Sequence, residues 1–291
     1  MPELPEVQAV VASLRPHVPG CTIRRVEQGR RDIASLDAFR RTPHAGLDLA
    51  PLLHGRTLVD VARRGKRIIF PLDDGAAFYV HLGMTGRLVL REGPSAVHPL
   101  PHTHLTLELH PSGASAATLA LSFADPRRFG RIVFLPPGTP PDADLGPEPF
   151  DLDAASFHAR LRRTRRPLKS ALLDQSLLAG LGNIYADESL HLAGLHPRRR
   201  THTLRPAESQ ALLRAIQGVL TAAIAAGGST LRDYRDANGR AGTFVHQHRV
   251  YGRGGQPCVT CHTPICTISL AQRSTHFCPT CQPYRRGGTR R

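Results

Sequence analysis

The spacing of hydrophobic residues predicts strands in the first half of the chain and helices in the second. Residues 5–18 place valines and a leucine at helical intervals behind Pro5, which predicts one N-terminal helix. Residues 21–134 then contain short apolar runs bounded by Gly, Pro and Asp, and such runs predict strands. Among them are RTLVDVA, RIIFPL, AAFYVHL, LTLELH and TLALSF.

The residues that follow predict a linker, a helical domain and a Cys-bearing module. The stretch LPPGTPPDADLGPEPF, residues 135–150, has too many prolines for regular structure and predicts an interdomain linker. Helical periodicity dominates residues 151–245, which end in a polar, Gly-rich segment at 227–244 that predicts a lid-like loop. We expect residues 246–284 to form a separate module and residues 285–291 a loose basic tail.

The distribution of charge along the chain indicates what kind of molecule the protein binds. The chain carries 38 Lys and Arg against 23 Asp and Glu, a net charge of +15. Residues 1–150 are nearly balanced at 17 basic to 15 acidic, whereas residues 151–291 have 21 to 8, and no acidic residue follows Asp236. An arginine-rich genome would explain why Lys66 and Lys169 are the only lysines, but not why acids vanish from one end. The asymmetry favours nucleic acid as the partner.

The chain lacks the sequence signals of membrane or secreted proteins. No apolar run approaches the ~18 residues that a membrane span needs, and the acidic start is unlike a secretory or transit signal. We therefore expect a cytoplasmic protein with no membrane partner. A monomer is the simplest expectation for its oligomeric state.

Two CxxC pairs near the C-terminus predict a metal site. CVTC at Cys258 and Cys261 and CPTC at Cys278 and Cys281 are separated by 16 residues, a spacing typical of tetrahedral zinc sites. Disulfides and a redox-active CxxC are the alternatives. Disulfides are disfavoured in a chain without a secretory signal, and a redox-active CxxC would not need a matched second pair. Four thiolates fill the coordination shell, so we expect one structural Zn²⁺, with Arg273 projecting from the hairpin between the pairs.

The first residues, MPELPEV, carry the candidate chemistry. Removal of the methionine would leave Pro2 with a free secondary amine, followed by Glu3 and Glu6. An α-amine has a pKa near ~8 against ~10.4 for lysine, so about a tenth of it is neutral and nucleophilic at pH 7. Such an amine is suited to attack a sugar carbon, and the cationic iminium that it forms can act as an electron sink. The alternative is an ordinary helix start, in which the carboxylates complement the helix dipole.

Five sequence motifs, in order, resemble the bacterial formamidopyrimidine-DNA glycosylases. They are PELPEV, HLGMTGRL, DPRRFG, GLGNIYADESL and the paired CxxC module, and together they cover the chain from Pro2 to Cys281. The resemblance implies an α+β fold with two domains. An N-terminal β-sandwich with flanking helices, residues 1–134, would precede a helix–two-turn–helix domain and a zinc hairpin.

The resemblance also implies an activity on damaged DNA. Family members excise oxidised purines, 8-oxoguanine or formamidopyrimidines, from duplex DNA and then cleave the abasic site by β- and δ-elimination. By resemblance, Pro2 is the nucleophile, Glu3 the general acid and Glu6 a supporting proton-transfer group. Lys66 matches the family's lysine near the target phosphates, although by itself it would be interpreted as a solvated charge.

Three further residues match the family's wedge, which replaces the base that leaves the stack. Met84 would fill the vacated space, Arg127 would face the orphaned base and Phe129 would unstack its neighbour. The residue types suit these tasks, because a thioether fills irregular gaps, a guanidinium offers directed donors and an aromatic ring separates bases. Taken singly, Met84 and Phe129 are better explained as core residues, although the Gly-flanked turn GMTG is a poor place for a core residue and weakens this alternative for Met84.

The remaining residues implied by the resemblance would contact phosphates. They are His81, Lys169, Asn183, Tyr251 and Arg273. Asn183 begins a helix, where N–H groups favour an anion, and its alternative interpretation is a helix cap.

Two alternatives to this function stay open at the level of sequence. The related endonuclease VIII branch prefers oxidised pyrimidines, but it usually begins Pro-Glu-Gly rather than Pro-Glu-Leu. A zinc-containing protein that binds damaged DNA without catalysis would share the wedge and the finger. The loop RDYRDANGRAGTF does not reveal which lesion is preferred.

Overall fold

The computed structural model describes residues 2–36, 46–93, 100–112, 117–232 and 234–284. The chain forms two compact units, one of Met1–Ala143 with Ala226–Thr243 and one of Asp144–Ala225 with Phe244–Arg291. The predicted basic tail, 285–291, lies outside the described residues. Among those residues, no helix combines the length and the apolar character that crossing a membrane requires.

Two β-sheets build the N-terminal unit. One has the strand order β1-β7-β8-β6 and the other β2-β9-β5-β4-β3. Among the described strands of this unit, β2 and β9 are the one parallel pair. The strands are β1 (Thr22–Gln28), β2 (Ala34–Leu36), β3 (Ala62–Arg64), β4 (Arg67–Pro71), β5 (Ala77–His81), β6 (Arg87–Glu92), β7 (Thr103–His110), β8 (Leu119–Ala124) and β9 (Arg131–Leu135).

One hydrophobic core joins residues of both sheets, as a sandwich requires. In β7 the inward Leu105, Leu107 and Leu109 are buried, whereas the residues between them are partly exposed, because side chains alternate across a strand. In the other sheet Phe70 and Phe78 are direct partners of β4 and β5, and their rings stack at 4.7 Å. The predicted α+β fold with an N-terminal sheet domain is confirmed.

Helix α1 (Leu4–Leu14) packs its apolar face into the same core. The sequence predicted that it would extend to residue 18, but it ends at Leu14 with Arg15 as its C-cap, because Pro16 has no N–H to donate to the Ala12 carbonyl. At its start Glu3 and Glu6 form a reciprocal capping box. A single short helix, α2 (Ala50–Leu53), lies near β1.

The second unit combines four helices with a two-stranded hairpin in its described residues. They are α3 (Ala154–Arg162), α4 (Leu168–Leu172), α5 (Asn183–Leu192), α6 (Pro206–Ala225), β10 (Cys266–Leu270) and β11 (Arg273–Phe277). Helix α4 is shorter than its apolar pattern suggested. The carboxylate of Asp174 accepts the Ser176 N–H at 2.9 Å, which favours a turn over another helical residue.

After α6 the chain returns to the N-terminal unit through residues 226–243, which we call the return segment. The sequence analysis placed this loop with the helical domain because it follows helices in the chain. Its hydrogen bonds instead go to α1 and β6: the Ala237 N–H donates to Ser13 Oγ at 3.1 Å, and the Leu90 N–H donates to the Ala237 carbonyl at 3.2 Å.

Candidate active site and nucleic-acid interface

The N-terminal candidates lie together at the start of α1. Pro2 is buried, and Glu3 and Glu6 are each 2% exposed. Oε2 of Glu6 accepts the Glu3 N–H at 2.7 Å, and Oε1 accepts the Ser229 N–H of the return segment, also at 2.7 Å. One carboxylate therefore contacts both the backbone beside Pro2 and the base of the return segment.

Tyr234 is a second contact between the return segment and α1. Its hydroxyl donates to the Glu6 carbonyl at 2.9 Å. Burial, with the nearby charges of Glu6 and Asp236, raises the pKa of the Tyr234 phenol, so this donor keeps its proton at neutral pH. The sequence analysis did not identify Ser229 or Tyr234, because the chain gives no local sign that residues more than two hundred positions apart will meet.

Two turns of the N-terminal unit carry the predicted wedge residues. Met84 is 41% exposed and Phe129 is 52% exposed, so neither belongs to the core. The turns pack directly together: Gly83 has φ +62°, and a Cβ there would lie 2.5 Å from the Gly130 nitrogen. The Arg127 guanidinium lies 4.9 Å from the centre of the Phe129 ring. The predicted trio is thus presented to solvent from adjoining turns.

Asp125 organises this pair of turns, and the sequence analysis missed its role. The side chain is fully buried. It accepts the Thr85 hydroxyl at 2.5 Å from one turn, and the backbone N–H groups of Arg127 and Gly130 at 3.2 and 2.7 Å from the other. The available sequence signal is the aspartate that begins the turn DPRRFG. An aspartate in this position commonly accepts the backbone N–H of the residue two positions later.

Lys66 and His81 lie near the same end of the paired strands β4 and β5 in the second sheet. Lys66 is in the turn between β3 and β4 and is only 7% exposed. His81 ends β5 opposite Arg67 of β4. Burial, with the positive charges of Lys66, Arg131 and Arg67, lowers the pKa of His81 to about 4. The Gly83 N–H donates to its Nδ1 at 3.1 Å, so the neutral ring carries its proton on Nε2 and offers a donor there.

The position of Lys169 corrects the expectation that it contacts phosphate directly. Its ammonium is fully buried, forms an ion pair with Asp187 at 2.8 Å and donates to the Ser274 carbonyl at 2.7 Å. A desolvated charge with a buried partner is satisfied where it lies. Asn183, at the start of α5, donates to the same carbonyl at 3.1 Å, so Lys169 and Asn183 both hold the residue next to Arg273.

Arg273 lies exposed at the tip of the β10–β11 hairpin. The two turn residues before it, Ala271 and Gln272, have φ of 51° and 57°, as a tight type I′ connection requires. Asp187 fastens the hairpin behind the tip by accepting the His276 N–H at 2.9 Å. The structure thus presents Arg273 on a short hairpin that α4 and α5 hold from behind.

Glu188 holds the segment that carries Tyr251, and the sequence analysis missed it. Its carboxylate is 2% exposed and accepts the backbone N–H groups of Arg249, Val250 and Tyr251 at 2.9, 3.0 and 2.8 Å. The Tyr251 ring packs edge-on against His276 at 5.1 Å. The available signal was compositional: adjacent acidic residues in the middle of a helix, within an acid-poor half of the chain.

The four cysteines of the paired CxxC motifs converge on one point. Their sulfur atoms lie within 4.8 Å of one another, with separations of 3.4 Å between Cys261 and Cys278 and 3.9 Å between Cys258 and Cys281. A tetrahedral Zn²⁺ with bonds of ~2.3 Å needs sulfurs about 3.8 Å apart. The Thr263 hydroxyl and N–H lower the pKa of Cys261 to about 6, which favours its thiolate.

Contacts behind the cysteines also fit a metal centre. His191 places Nε2 at 3.5 Å from the Cys258 sulfur, and buried Gln282 accepts the Cys278 N–H at 2.9 Å while donating to the Leu195 carbonyl. Such outer contacts orient thiolate ligands. The predicted structural zinc is confirmed, since geometry and donor set both fit one four-thiolate ion.

Three family models match the chain in order. The formamidopyrimidine-DNA glycosylase N-terminal domain matches residues 1–132 and the H2TH domain of the same family matches residues 145–235. The zinc finger found in FPG and IleRS matches residues 255–283. Together with the sheet unit, the helical unit and the four-thiolate hairpin, this order defines a DNA repair glycosylase with a zinc finger.

Relatives agree with this class along the whole chain. Formamidopyrimidine-DNA glycosylases of Solibacter usitatus and Gloeobacter violaceus are 42% and 43% identical, over 97% of this chain and 99% and 98% of theirs. The crystal structure of the Thermus thermophilus MutM (Fpg) protein is similar at 41% identity with a TM-score of 0.81, covering 97% of this chain and 98% of that one. The chain belongs to the formamidopyrimidine-DNA glycosylase family, whose members are bifunctional glycosylases and AP lyases.

A second solved structure shows what one relative binds. A Lactococcus lactis Fpg mutant in complex with DNA containing Fapy-dG is 32% identical with a TM-score of 0.83, over 97% of this chain and 100% of that chain. Another structure of the Lactococcus lactis protein holds DNA containing an abasic site.

Proposed function

We propose that this enzyme removes oxidised purines, 8-oxoguanine and formamidopyrimidines, from duplex DNA and then cleaves the abasic strand. The observation that carries the proposal is the N-terminal constellation, in which Glu6 links the backbone beside Pro2 to the return segment. We infer that the enzyme acts as a monomer on chromosomal DNA in the bacterial cytoplasm. Duplex DNA with an oxidised purine or an abasic site is its expected partner.

The choice of nucleophile follows from the few amines in the chain. After removal of the methionine, three amines are available: Pro2, Lys66 and Lys169. Lys169 is fully buried in an ion pair, whereas burial does not separate Lys66, which is 7% exposed, from Pro2, which is buried as well. An α-amine is also far less protonated at pH 7 than a lysine. Pro2 is therefore the amine best suited to attack, and Lys66 the candidate for holding the target phosphates nearby.

The reaction can be written with its electrons and protons balanced. The Pro2 nitrogen attacks C1′ of the damaged nucleotide, and the base leaves with the electrons of the glycosidic bond and takes up the proton that the Pro2 nitrogen loses. The nitrogen lone pair then forms the iminium as the C1′–O4′ bond breaks, and Glu3 protonates the ring oxygen that receives those electrons. The resulting iminium withdraws electrons, so loss of a C2′ proton expels the 3′ phosphate. A second elimination expels the 5′ phosphate and leaves a one-nucleotide gap.

The wedge and the phosphate contacts support this chemistry by holding distorted DNA. Exposed Met84, Arg127 and Phe129 are suited to occupy the space that the extruded base vacates, at an unstacking cost of a few kcal/mol. The remaining candidates are expected to grip the backbone. They are His81, Asn183, Tyr251 and Arg273. Lys169 acts at one remove, through the Ser274 carbonyl.

A removable N-terminal extension tests the proposal. We expect a form extended before Pro2 to give no borohydride-trapped complex with duplex containing 8-oxoguanine, because its amine has become an amide. Proteolytic release that leaves Pro2 first should restore both trapping and strand cleavage in the same sample. Cleavage of abasic DNA by the intact extended form would exclude Pro2.

Glu3→Gln serves as a companion variant, since it keeps the size of the side chain and removes the acid. We expect excision of 8-oxoguanine to slow by about 10²–10⁴-fold, the usual contribution of a positioned acid. Excision at the wild-type rate would remove Glu3 from the scheme.

A further inference from the structure

The carboxylate of Glu6 joins two segments that are distant in the chain. Oε2 accepts the N–H of Glu3, the amide directly after Pro2, and Oε1 accepts the N–H of Ser229 at the base of the return segment, each at 2.7 Å. Charge-assisted hydrogen bonds of this length are strong and directional. The orientation of the chain at Pro2 and the position of the return segment therefore depend on the same side chain.

Gly228 allows this contact because it has no side chain. A Cβ at this position would lie 2.7 Å from Oε1 and 2.9 Å from Cγ of Glu6, closer than real Cβ atoms approach. Its backbone has φ +86°, a conformation that favours glycine. The preceding Gly227 also has a positive φ, +69°, but a Cβ there would meet only the Cα of Gly242 at 3.7 Å.

Further contacts hold the return segment along α1. The Tyr234 hydroxyl donates to the Glu6 carbonyl at 2.9 Å, and the Ala237 N–H donates to Ser13 Oγ at 3.1 Å. Ala237 is itself 1% exposed in the core of the N-terminal unit. The segment is thus attached at both ends of the helix whose first turn carries the proposed nucleophile.

We propose that Glu6 is a positioning residue that couples the return segment to Pro2, and that Gly228 is the residue that makes this coupling sterically feasible. The inference rests on the proposed function, in which Pro2 is the nucleophile. A shift of Ser229 moves the Glu6 carboxylate that accepts its N–H. The Glu3 N–H, which bonds the same carboxylate, then loses its fixed position. The segment consequently controls amine attack itself, besides any contact that it makes with the damaged base.

A preformed abasic duplex separates these two roles, because it contains no base to recognise. The measurement is the single-turnover rate of borohydride trapping on that duplex. We expect Gly228→Ala to trap about tenfold or more slowly than Gly227→Ala, as for loss of a hydrogen bond to a charged group. Both variants carry the strain of a side chain at positive φ, so their difference reports the contact with Glu6. Equal trapping rates for the two, with slower excision of 8-oxoguanine by Gly228→Ala, would overturn the proposal.

A double-mutant cycle tests whether the effect passes through Glu6. Glu6→Gln supplies only one carbonyl oxygen for two N–H donors, so it disrupts the same pair of bonds. We expect Gly228→Ala combined with Glu6→Gln to trap no more slowly than the slower single variant, because contacting residues are not additive. Independent, multiplicative losses would show that Gly228 acts without Glu6 and would overturn the coupling.

Tyr234→Phe provides a milder test if Gly228→Ala does not fold. It removes one neutral hydrogen bond to the Glu6 carbonyl, so we expect trapping on abasic DNA to slow about three- to tenfold. Wild-type trapping by this variant would count against the coupling. Failure of the proposed function itself would be seen separately, as trapping by the N-terminally extended protein.

Discussion

His81 illustrates how its surroundings determine what one side chain offers a phosphate. Burial and the charges of Lys66, Arg131 and Arg67 lower its pKa from 6.5 to about 4, so the ring is neutral at pH 7. With Nδ1 accepting the Gly83 N–H, Nε2 remains as a neutral donor. Since the unfolded chain takes up this proton first, His81 makes the fold less stable as pH falls from about 6.5 to about 4.

This neutrality predicts a contrast between the two proposed phosphate contacts His81 and Arg273. His81→Ala should weaken DNA binding about three- to tenfold, the value of one neutral hydrogen bond, without changing the dependence of affinity on salt. Arg273→Ala should weaken binding and reduce the slope of log K against log salt by about one. Titration of affinity across salt concentrations measures both.

His81→Gln is the matched control for this comparison, because it keeps a neutral donor and should retain more of the affinity. A lower salt slope in His81→Ala would contradict the prediction, since it would mean that the imidazole is charged when bound to DNA.

At the scale of elements, helices α4 and α5 act as the support for the zinc hairpin. The Lys169–Asp187 pair crosses between them, and each partner also bonds the hairpin strand, at the Ser274 carbonyl and the His276 N–H. The positive charge of Lys169 therefore contributes through its contact with the hairpin backbone rather than through DNA.

A charge-removal series distinguishes support from phosphate binding. Lys169→Met should destabilise the second unit by about 3–5 kcal/mol, because it leaves the Asp187 carboxylate buried without its partner. Adding Asp187→Asn should recover part of that loss, since it removes the orphaned charge. Urea denaturation measures the free energy of unfolding for each variant.

Arg273→Ala is the control for this series, because an exposed arginine should affect DNA affinity without affecting stability. If Lys169→Met lowered DNA affinity while its unfolding free energy stayed at the wild-type value, the result would support a direct contact between Lys169 and phosphate and contradict the supporting role.

Element boundaries show how far sequence reasoning reaches at this scale. The paired CxxC motifs and the strands β4, β5, β7 and β8 were predicted correctly because each depends on local spacing. Strand β1 (TIRRVEQ) was not singled out, since its three charged residues obscure the alternation that its partner β7 displays. Helix α4 ends before the apolar run LKSALLDQSLL (168–178) does, because Asp174 and Ser176 compete with the helix for backbone hydrogen bonds.

At the scale of the whole molecule, charge and metal act in the same half of the chain. Residues 151–291 have 21 basic and 8 acidic side chains, and the zinc hairpin lies within this excess. The cluster of Val250, Cys258, Ile265 and Cys278 behind the hairpin is small, so the metal supplies much of the folding free energy there.

Removal of zinc should therefore weaken DNA binding and leave the N-terminal unit folded. With a chelator under reducing conditions, we expect affinity for undamaged duplex to fall at least about tenfold, since the Arg273 tip loses its support. Limited proteolysis should cut within residues 246–284 while the sandwich of residues 2–143 stays protected. Added Zn²⁺ should reverse the loss before any thiol is oxidised.

Cys258→Ser provides an independent version of this experiment, and metal analysis of the wild type should give one zinc per chain. Undiminished DNA binding by a zinc-free hairpin would show that the metal is dispensable.

The sequence alone determined the family, the zinc ligands and the residue types of the wedge, because these depend on short motifs and spacings that survive without coordinates. Only the tertiary structure showed that Asp125 organises the wedge turns, that Lys169 and Glu188 hold the zinc module, and that Gly228 meets Glu6. Each of these contacts forms between residues that only the folded chain brings close together. A buried carboxylate or carbonyl bonds whichever main-chain or side-chain group lies within reach. Composition and periodicity carry no record of that selection, since hydrogen bonds to main-chain groups leave almost no signature in the identity of the partner residue.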